Sequence, residues 1–323
     1  MFSYLLKRLF GLVPQLVGIT LISFLVIHLA PGGPVDARGD MNPKMSYEAK
    51  EKLTKLYGLD KPVLIQYKDW LKRLVGFDFG NSFTDGEKVT QKIARAIPVT
   101  LFINLLALLL IFLIGIPIGV FGAVKENSMA DKTVTLFVMS GFAVPTFWLA
   151  LILMSFFGVT LRCLPVSGLY SIDFDQMSWL GKTIDLSRHL ILPLVVSSVT
   201  GVAGISRFMR SGMIEALRSD YIRTARAKGL SENRVLYRHA LRNALLPIVT
   251  ILGLSVPGLL GGSVVFESIF SIPGMGRLFF NSVFTRDYPV IMGVLVLGAA
   301  LTLLGNLLAD IAYGLVDPRI RLK

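Results

Sequence analysis

The chain has 323 residues, 53% of them hydrophobic and 17% charged, with a formal net charge of +12. Its mean hydropathy of +0.65 means more apolar surface than one soluble core can bury, which excludes an ordinary water-soluble domain. In such a chain the placement of Lys and Arg says more than their sum, so the basic balance alone does not point to nucleic acid.

Six apolar windows are long enough to cross a hydrocarbon core of about 30 Å as helices. They run from Leu9 to Leu29, Pro98 to Val124, Thr133 to Leu161, Leu190 to Ser206, Asn243 to Phe266 and Tyr288 to Ala309. The first is too long for a signal-peptide core and lacks a small-x-small cleavage site, so it should persist as a helix. The window Leu190–Ser206 is the shortest, with Arg188 and Arg207 placed to snorkel at its ends. On one side of the membrane the head, the 125–132 and 207–242 loops and the tail carry 16 Lys and Arg, against 5 in the short 162–189 and 267–287 loops. The 30–97 loop has 12, but the positive-inside rule weakens for loops beyond about 60 residues. Both termini are therefore expected in the cytoplasm, with the basic excess beside anionic lipid and cytosolic partners and not nucleic acid.

In the 30–97 loop Ser46 is placed to cap a helix over Tyr47–Tyr57 that Gly58 stops, and Pro62 to start a second ending near Gly76. A small helical cap on the outer face follows. The single cysteine, Cys163, excludes an internal disulfide framework and a Cys-based metal cage. Ser271-Ile272-Pro273-Gly274-Met275-Gly276 is apolar and turn-rich yet lies outside the membrane. It reads either as a plain surface loop or as one that folds back towards the bundle or meets a partner.

From Arg207 to Arg242 the pattern turns amphipathic, with Met213, Ile214, Leu217 and Tyr221 on one face and Arg210, Glu215 and Arg218 elsewhere. Gly229 suits a left-handed helix end, followed by Leu230, Ser231 as N-cap and Glu232 near the positive helix terminus. Leu230 and Val235 have the spacing of a hydrophobic staple. This helix–Gly–helix unit is either a docking element for a soluble partner or an ordinary basic inner loop.

The string Asp220-Tyr221-Ile222-Arg223-Thr224-Ala225-Arg226-Ala227-Lys228-Gly229-Leu230 resembles the coupling loop of the permeases of binding-protein-dependent ATP-driven importers, in their dipeptide, oligopeptide and nickel branch. Where the wider family has Glu-Ala-Ala this chain has Arg223, Thr224 and Ala225, and the family's proline is displaced to Pro247. Leu29-Ala30-Pro31-Gly32-Gly33-Pro34, Asp78-Phe79-Gly80-Asn81-Ser82, Val144-Pro145-Thr146-Phe147-Trp148, Leu164-Pro165-Val166-Ser167-Gly168, Arg286-Asp287-Tyr288-Pro289 and Asp317-Pro318-Arg319-Ile320 resemble the same branch, in order. So does Ser271–Gly276. The resemblance implies an all-α polytopic inner-membrane subunit: a first span with its outer cap over residues 1–94, a five-helix core over 95–310 and a tail over 311–323. It also implies a second homologous permease, two ATPase subunits, a binding protein that delivers the solute, and no cofactor in this chain. ATP would be hydrolysed elsewhere. The coupling-loop residues would be Glu215, Tyr221, Arg223, Thr224, Ala225, Arg226, Ala227, Lys228, Gly229 and Leu230.

Gly181-Lys182-Thr183 imitates the end of a phosphate-binding loop, but its required first glycine falls on Gln176. His28, His189 and His239 are scattered without metal-ligand spacing, and no serine lies in a Gly-x-Ser-x-Gly elbow. No acidic residue falls within the six windows, which argues against the rival class, a proton-coupled secondary transporter or channel working without an ATPase. Ser140, Ser197, Ser198, Thr200, Thr250 and Ser255 lie at membrane depth. They either face a translocation path or bond to their own helix carbonyls. Gly115-x-x-x-Gly119 and Gly258-x-x-x-Gly262 would admit close helix contact, and Pro117, Pro145 and Pro257 interrupt spans.

Overall fold

The computed structural model describes residues 2–29, 35, 47–56 and 58–316. The readings at Ser46, Tyr57, residues 30–34 and the Asp317–Ile320 string lie outside these. Among the described residues the β pairing is one isolated antiparallel bridge, Asn81 with Lys88, and the rest is helix and turn. In chain order the helices are α1 (Phe2–Leu29), α2 (Tyr47–Leu56), α3 (Val63–Val75), α4 (Val89–Val124), α5 (Met129–Ala143), α6 (Thr146–Leu153) and α7 (Trp179–Leu217). They continue as α8 (Asp220–Ala227), short turns over 232–244, α9 (Leu246–Ser255), α10 (Val264–Ile269), α11 (Met275–Phe284) and α12 (Tyr288–Val316).

Of the six windows, the first, second, fourth and last are continuous helices long and apolar enough to cross a membrane. The third is a pair, Met129–Ala143 and Thr146–Thr160, bent by 100° at the break that holds Pro145. The fifth is not one continuous helix. It arrives as α9, a 3-10 turn over Pro257–Leu260 and α10, because Pro257 lacks a donor and Gly258, Gly261 and Gly262 lower the cost of leaving the helix. Among the described residues the continuous spans thus number four, or five if the bent pair crosses as one. The window that looked shortest belongs to a 39-residue helix, about 58 Å long, with charged residues at both ends of its apolar stretch.

The chain divides into two units, one drawn from Met1–Thr100, Leu260–Ser268 and Pro273–Lys323, the other from Leu101–Leu259 and Ile269–Ile272. In the first, Phe24 and Ile27 of α1, Trp70 of α3, Phe79, Val89 and Ile93 of α4, Met275, and Val290 and Val296 of α12 form one apolar core. Helix α3 is fastened to α1 there. Thr20 shares a hydrogen bond with the Tyr67 hydroxyl at 3.0 Å, and His28 bonds the Gln66 side chain at 3.1 Å while stacking on Phe24. As expected, Gly58 ends α2 in a left-handed conformation (φ 66°), and Pro62 precedes a helix that closes at Gly76. The left-handed residue after that second helix is Phe77, not the glycine.

In the second unit α4 lies against α7 across glycines. A Cβ on Gly115 would sit 3.0 Å from Ile205, and one on Gly119 would sit 2.6 Å from Met209 Cβ and 2.5 Å from the Ser206 carbonyl. This is the close approach that Gly115-x-x-x-Gly119 suggested. Gly258 behaves differently, with nothing within 4 Å of its Cβ position. Helix α4 runs through Pro117 unbroken.

Candidate functional site

The 207–242 loop is built on the last turns of α7. Met209 and Met213 are fully buried and Ala216 nearly so, and they form a core with Ile222 and Ala225 of α8 and with Val235, Ala240 and Ala244. Helix α7 stops at Leu217, and α8 starts afresh after Ser219, whose hydroxyl donates to the Ala216 carbonyl without capping α8. That extra break shifts the helical phase. Tyr221, expected on the apolar face with Met213, is therefore 41% exposed, and Ile222 takes the buried place.

The end of α8 forms as the sequence suggested. Gly229 has φ 75°, its N–H reaches the Arg226 carbonyl at 2.9 Å, and the Leu230 N–H reaches the Ala225 carbonyl at 3.4 Å. This is a Schellman closure, which satisfies carbonyls that the helix end leaves free. Ser231 holds the N-cap backbone position but makes no side-chain cap bond. The two sides of the turn are tied instead by Arg226, whose Nε and Nη2 donate to both carboxylate oxygens of Glu232 at 2.9 and 3.1 Å. The hydrogen bond from Arg226 holds the Glu232 carboxyl below its ordinary range. Leu230 and Val235 both pack in the core under the turn, as a staple requires.

Of the ten residues assigned to this loop, Ala225 is buried and Leu230 half-buried. Glu215, Tyr221, Arg223, Thr224, Arg226, Ala227, Lys228 and Gly229 are exposed. The loop thus shows a basic, turn-centred surface while its apolar face is used internally. An open groove of about 610 Å³ beside it is lined by Ser211, Ile214, Glu215, Arg218 and Ser219.

Two ion pairs beside this loop join it to the 126–131 stretch and had no sequence signal across that distance. Arg210 near the end of α7 makes a two-pronged contact with Asp131, 2.8 Å from Nε to Oδ1 and 2.6 Å from Nη2 to Oδ2. Arg218 reaches Glu126 at 2.8 Å. Asp131 is 3% exposed, and the Arg210 hydrogen bonds hold its carboxyl below the ordinary range against the opposing push of burial. One local signal was available: Ser128 and Asp131 stand in capping register, and the Asp131 N–H does donate to the Ser128 hydroxyl at 3.1 Å.

The Ser271–Gly276 loop is divided between the two units. In the second, Ile272 and Phe270 are buried, the Gly168 N–H donates to the Phe270 carbonyl at 2.8 Å, and Ser271 has φ 55°. In the first, Gly274, Met275 and Gly276 are buried and Pro273 is exposed. The Thr100 hydroxyl donates to Glu267 at 2.9 Å and accepts from the Met275 N–H at 2.8 Å, while the other Glu267 oxygen accepts from the Arg277 N–H at 3.0 Å. Gly274 is required by space, since a Cβ there would sit 2.5 Å from both Glu267 Oε2 and Thr100 Oγ1. Gly262 packs in the same way against the backbone of Gly276. The loop therefore folds on its own units and leaves Pro273 and part of Ser271 at the surface.

Of the six hydroxyls expected at membrane depth, Ser140 donates to the Leu136 carbonyl, Ser197 and Ser198 to Leu194, Thr250 to Leu246 and Ser255 to Ile251, at 2.6–3.3 Å. Thr200 is half-buried on α7. Gly181-Lys182-Thr183 is the opening turn of α7, with the Gly181 N–H donating to the Ser178 hydroxyl, so it forms no phosphate loop. The His28 and His189 rings each have a helix carbonyl as partner, Phe24 and Asp185 respectively.

Several helices long and apolar enough to cross a membrane, with a basic helix–Gly–helix unit exposed on one loop, give the build of a polytopic membrane protein. Residues 115–322 match the family described as binding-protein-dependent transport system inner membrane component, and residues 1–104 match its N-terminal membrane component. The chain is 44% identical over 321 residues to the oligopeptide transport system permease protein AppB of Bacillus subtilis, covering 99% of both chains. It is 42% identical to the di/tripeptide transport system permease protein DppB of Pseudomonas aeruginosa, covering 99% of both, and 39% identical to the dipeptide transport system permease protein DppB of Escherichia coli K12, covering 100% of both. In structure it resembles a chain of the inward-facing MetNI methionine ABC transporter, with a TM-score of 0.56 at 20% identity, over 71% of this chain and 97% of that one. That likeness concerns the fold. The chain belongs to the family of inner-membrane components of binding-protein-dependent transport systems. It is a non-catalytic permease subunit of an ABC importer, and ATP hydrolysis belongs to a partner ATPase.

Proposed function

We propose that this chain forms half of the path by which peptides or related small solutes, delivered by an extracytoplasmic binding protein, cross the membrane. The observation that carries this reading is similarity over essentially the whole chain to permeases named for oligopeptide and dipeptide transport. The other half would be a second homologous permease, and two ATPase subunits would complete the complex. Both termini would face the cytoplasm, as the distribution of Lys and Arg favours. The 1–94 segment would act as anchor and outer cap, 95–310 as the permease core and 311–323 as a cytoplasmic tail.

In this reading the surface of Glu215, Tyr221, Arg223, Thr224, Arg226, Ala227, Lys228 and Gly229 seats in the ATPase, with Ala225 and Leu230 holding its shape from beneath. Closure of the ATPases would move this loop and shift the spans between inward- and outward-facing states. On the outer side Ser271–Gly276 would meet the binding protein or its released solute through Pro273 and Ser271. Ser140, Ser197, Ser198, Thr200, Thr250 and Ser255 would line the path, each able to exchange its helix-carbonyl bond for one to solute.

The test is uptake of labelled di- to pentapeptides by vesicles holding either the full complex or this chain alone. Uptake that needs ATP and the binding protein supports the proposal. Uptake by the chain alone, driven by an ion gradient, would select a secondary transporter instead. For the outer loop, a Pro273→Cys variant should cross-link to the docked binding protein, whereas a Lys52→Cys variant on the cap should not.

A further inference from the structure

We propose that the Asp131–Arg210 ion pair is a positioning device that carries movement of the 207–242 loop into α5, keeping ATP hydrolysis and solute passage in step; this rests on the transport reading above. The planar fork of Arg210 grips both oxygens of Asp131. Such a contact fixes orientation as well as distance, which a single ammonium does not. Asp131 also accepts from the Asn127 N–H at 3.0 Å and the Thr135 hydroxyl at 3.4 Å, so it cannot swing away without stranding a buried charge. Room for the fork comes from Gly122 on α4, where a Cβ would lie 3.2 Å from both Arg210 Cδ and Asp131 Oδ1.

The pair sits at a junction within one unit. On one side, Met209 and Met213 of α7 pack with Ile222 and Ala225 of α8, whose outer face is the exposed basic surface. On the other, Asp131 lies in the first turn of α5, whose far end is the bend at Val144 and Pro145. The Arg218–Glu126 contact adds a second tie eight residues further along the chain, so Glu126 and Asp131 bind the entry to α5 to the end of α7 and to the residue that follows it. A push on α8 therefore reaches α7 through apolar packing, which is non-directional, and leaves it through a fork that has direction. Interfaces of this kind settle into discrete arrangements and do not deform smoothly.

The experiment uses the complete importer in vesicles with its ATPases and binding protein, and reads labelled di- to pentapeptide taken up per ATP hydrolysed. The neutral double variant Asp131→Asn/Arg210→Gln removes both charges and leaves none stranded, and Arg210→Lys keeps the charge but loses the fork. The double variant should assemble and hydrolyse ATP, with its uptake per ATP down about tenfold; Arg210→Lys should lose about threefold. A wild-type ratio in the assembled double variant overturns the proposal. Failure of both the double and the Lys variants to assemble overturns it too, since the pair would then serve folding alone. Wild-type uptake indifferent to ATP would bring down the transport reading instead, and this one with it.

Discussion

The Ser82 hydroxyl donates a hydrogen bond to the carboxylate of Asp287, joining two segments 205 residues apart within one unit. The same carboxylate accepts the Phe83 N–H at 2.9 Å and the Thr84 N–H at 3.4 Å, and is 2% exposed. It organises the tight turn after Gly80 and the start of α12 together. Asp287→Ala strands those donors and should cost about 2–4 kcal/mol, read as lost thermal stability of the detergent-purified chain. Asp287→Asn keeps one acceptor oxygen and should cost less. Equal stability of the Ala variant and wild type would mean that water replaces the carboxylate.

Gly119 allows α4 and α7 to touch, with Ser206 and Met209 already inside the space of a Cβ. Gly119→Ala should destabilise by about 1–3 kcal/mol, because backbone must move on one side or the other. Gly204, with nothing within 4 Å of its Cβ position, is the matched control, and Gly204→Ala should be close to neutral. Thermal unfolding of both variants in the same detergent decides the comparison.

Gly229 has open space around its Cβ position, so the cost of a side chain there is backbone strain and not a clash within this chain. Gly229→Val should cost about 1–2 kcal/mol or re-aim the residues that follow, while Gly229→Asn should be milder. The Val variant is expected to insert normally yet weaken ATPase docking or uncouple hydrolysis from uptake, and exposed Lys52→Ala should do neither. Wild-type coupling in an assembled Gly229→Val complex would remove the loop from its proposed role.

Asp131 predicts an acid dependence. Its folded-state pKa lies below the unfolded value of about 3.9, chiefly through Arg210, so the stabilisation is complete above that value and disappears as pH falls through the lower, folded one. Denaturant titrations should show a wild-type advantage over Asp131→Asn at neutral pH that closes below about pH 4. A gap that stays constant on acidification would mean that the carboxylate charge is not what stabilises the pair.

Local chemistry was legible in the sequence wherever one residue type decides the outcome. Gly58 and Gly229 take the left-handed turns their positions suggested, and Pro62 stands before a helix. The interruption of the fifth window was not legible because hydropathy averages over Pro257 and Gly258, so apolar composition concealed three short pieces. Tyr221 was misplaced because a helical pattern was carried across Arg218 and Ser219, where the chain resets its phase. The partners of Asp131 and Asp287 lie 79 and 205 residues away, and no spacing rule reaches that far. The motifs Asp78–Ser82 and Arg286–Pro289 were visible as strings, but that they meet was not.

The core of the first unit has an implication for how the protein is made. Phe24, Trp70, Phe79 and Val89 are packed against Val290 and Val296, which leave the ribosome roughly 200 residues after Val89. At synthesis rates of about 5–20 residues per second, the early half waits about 10–40 seconds for the residues that cover it. Through that interval Trp70 and Phe79, which belong to the cap segment, have no apolar cover from α12. A nascent chain stalled near residue 259 would thus present an unfinished aromatic surface, the kind of surface that membrane chaperones and quality-control proteases recognise.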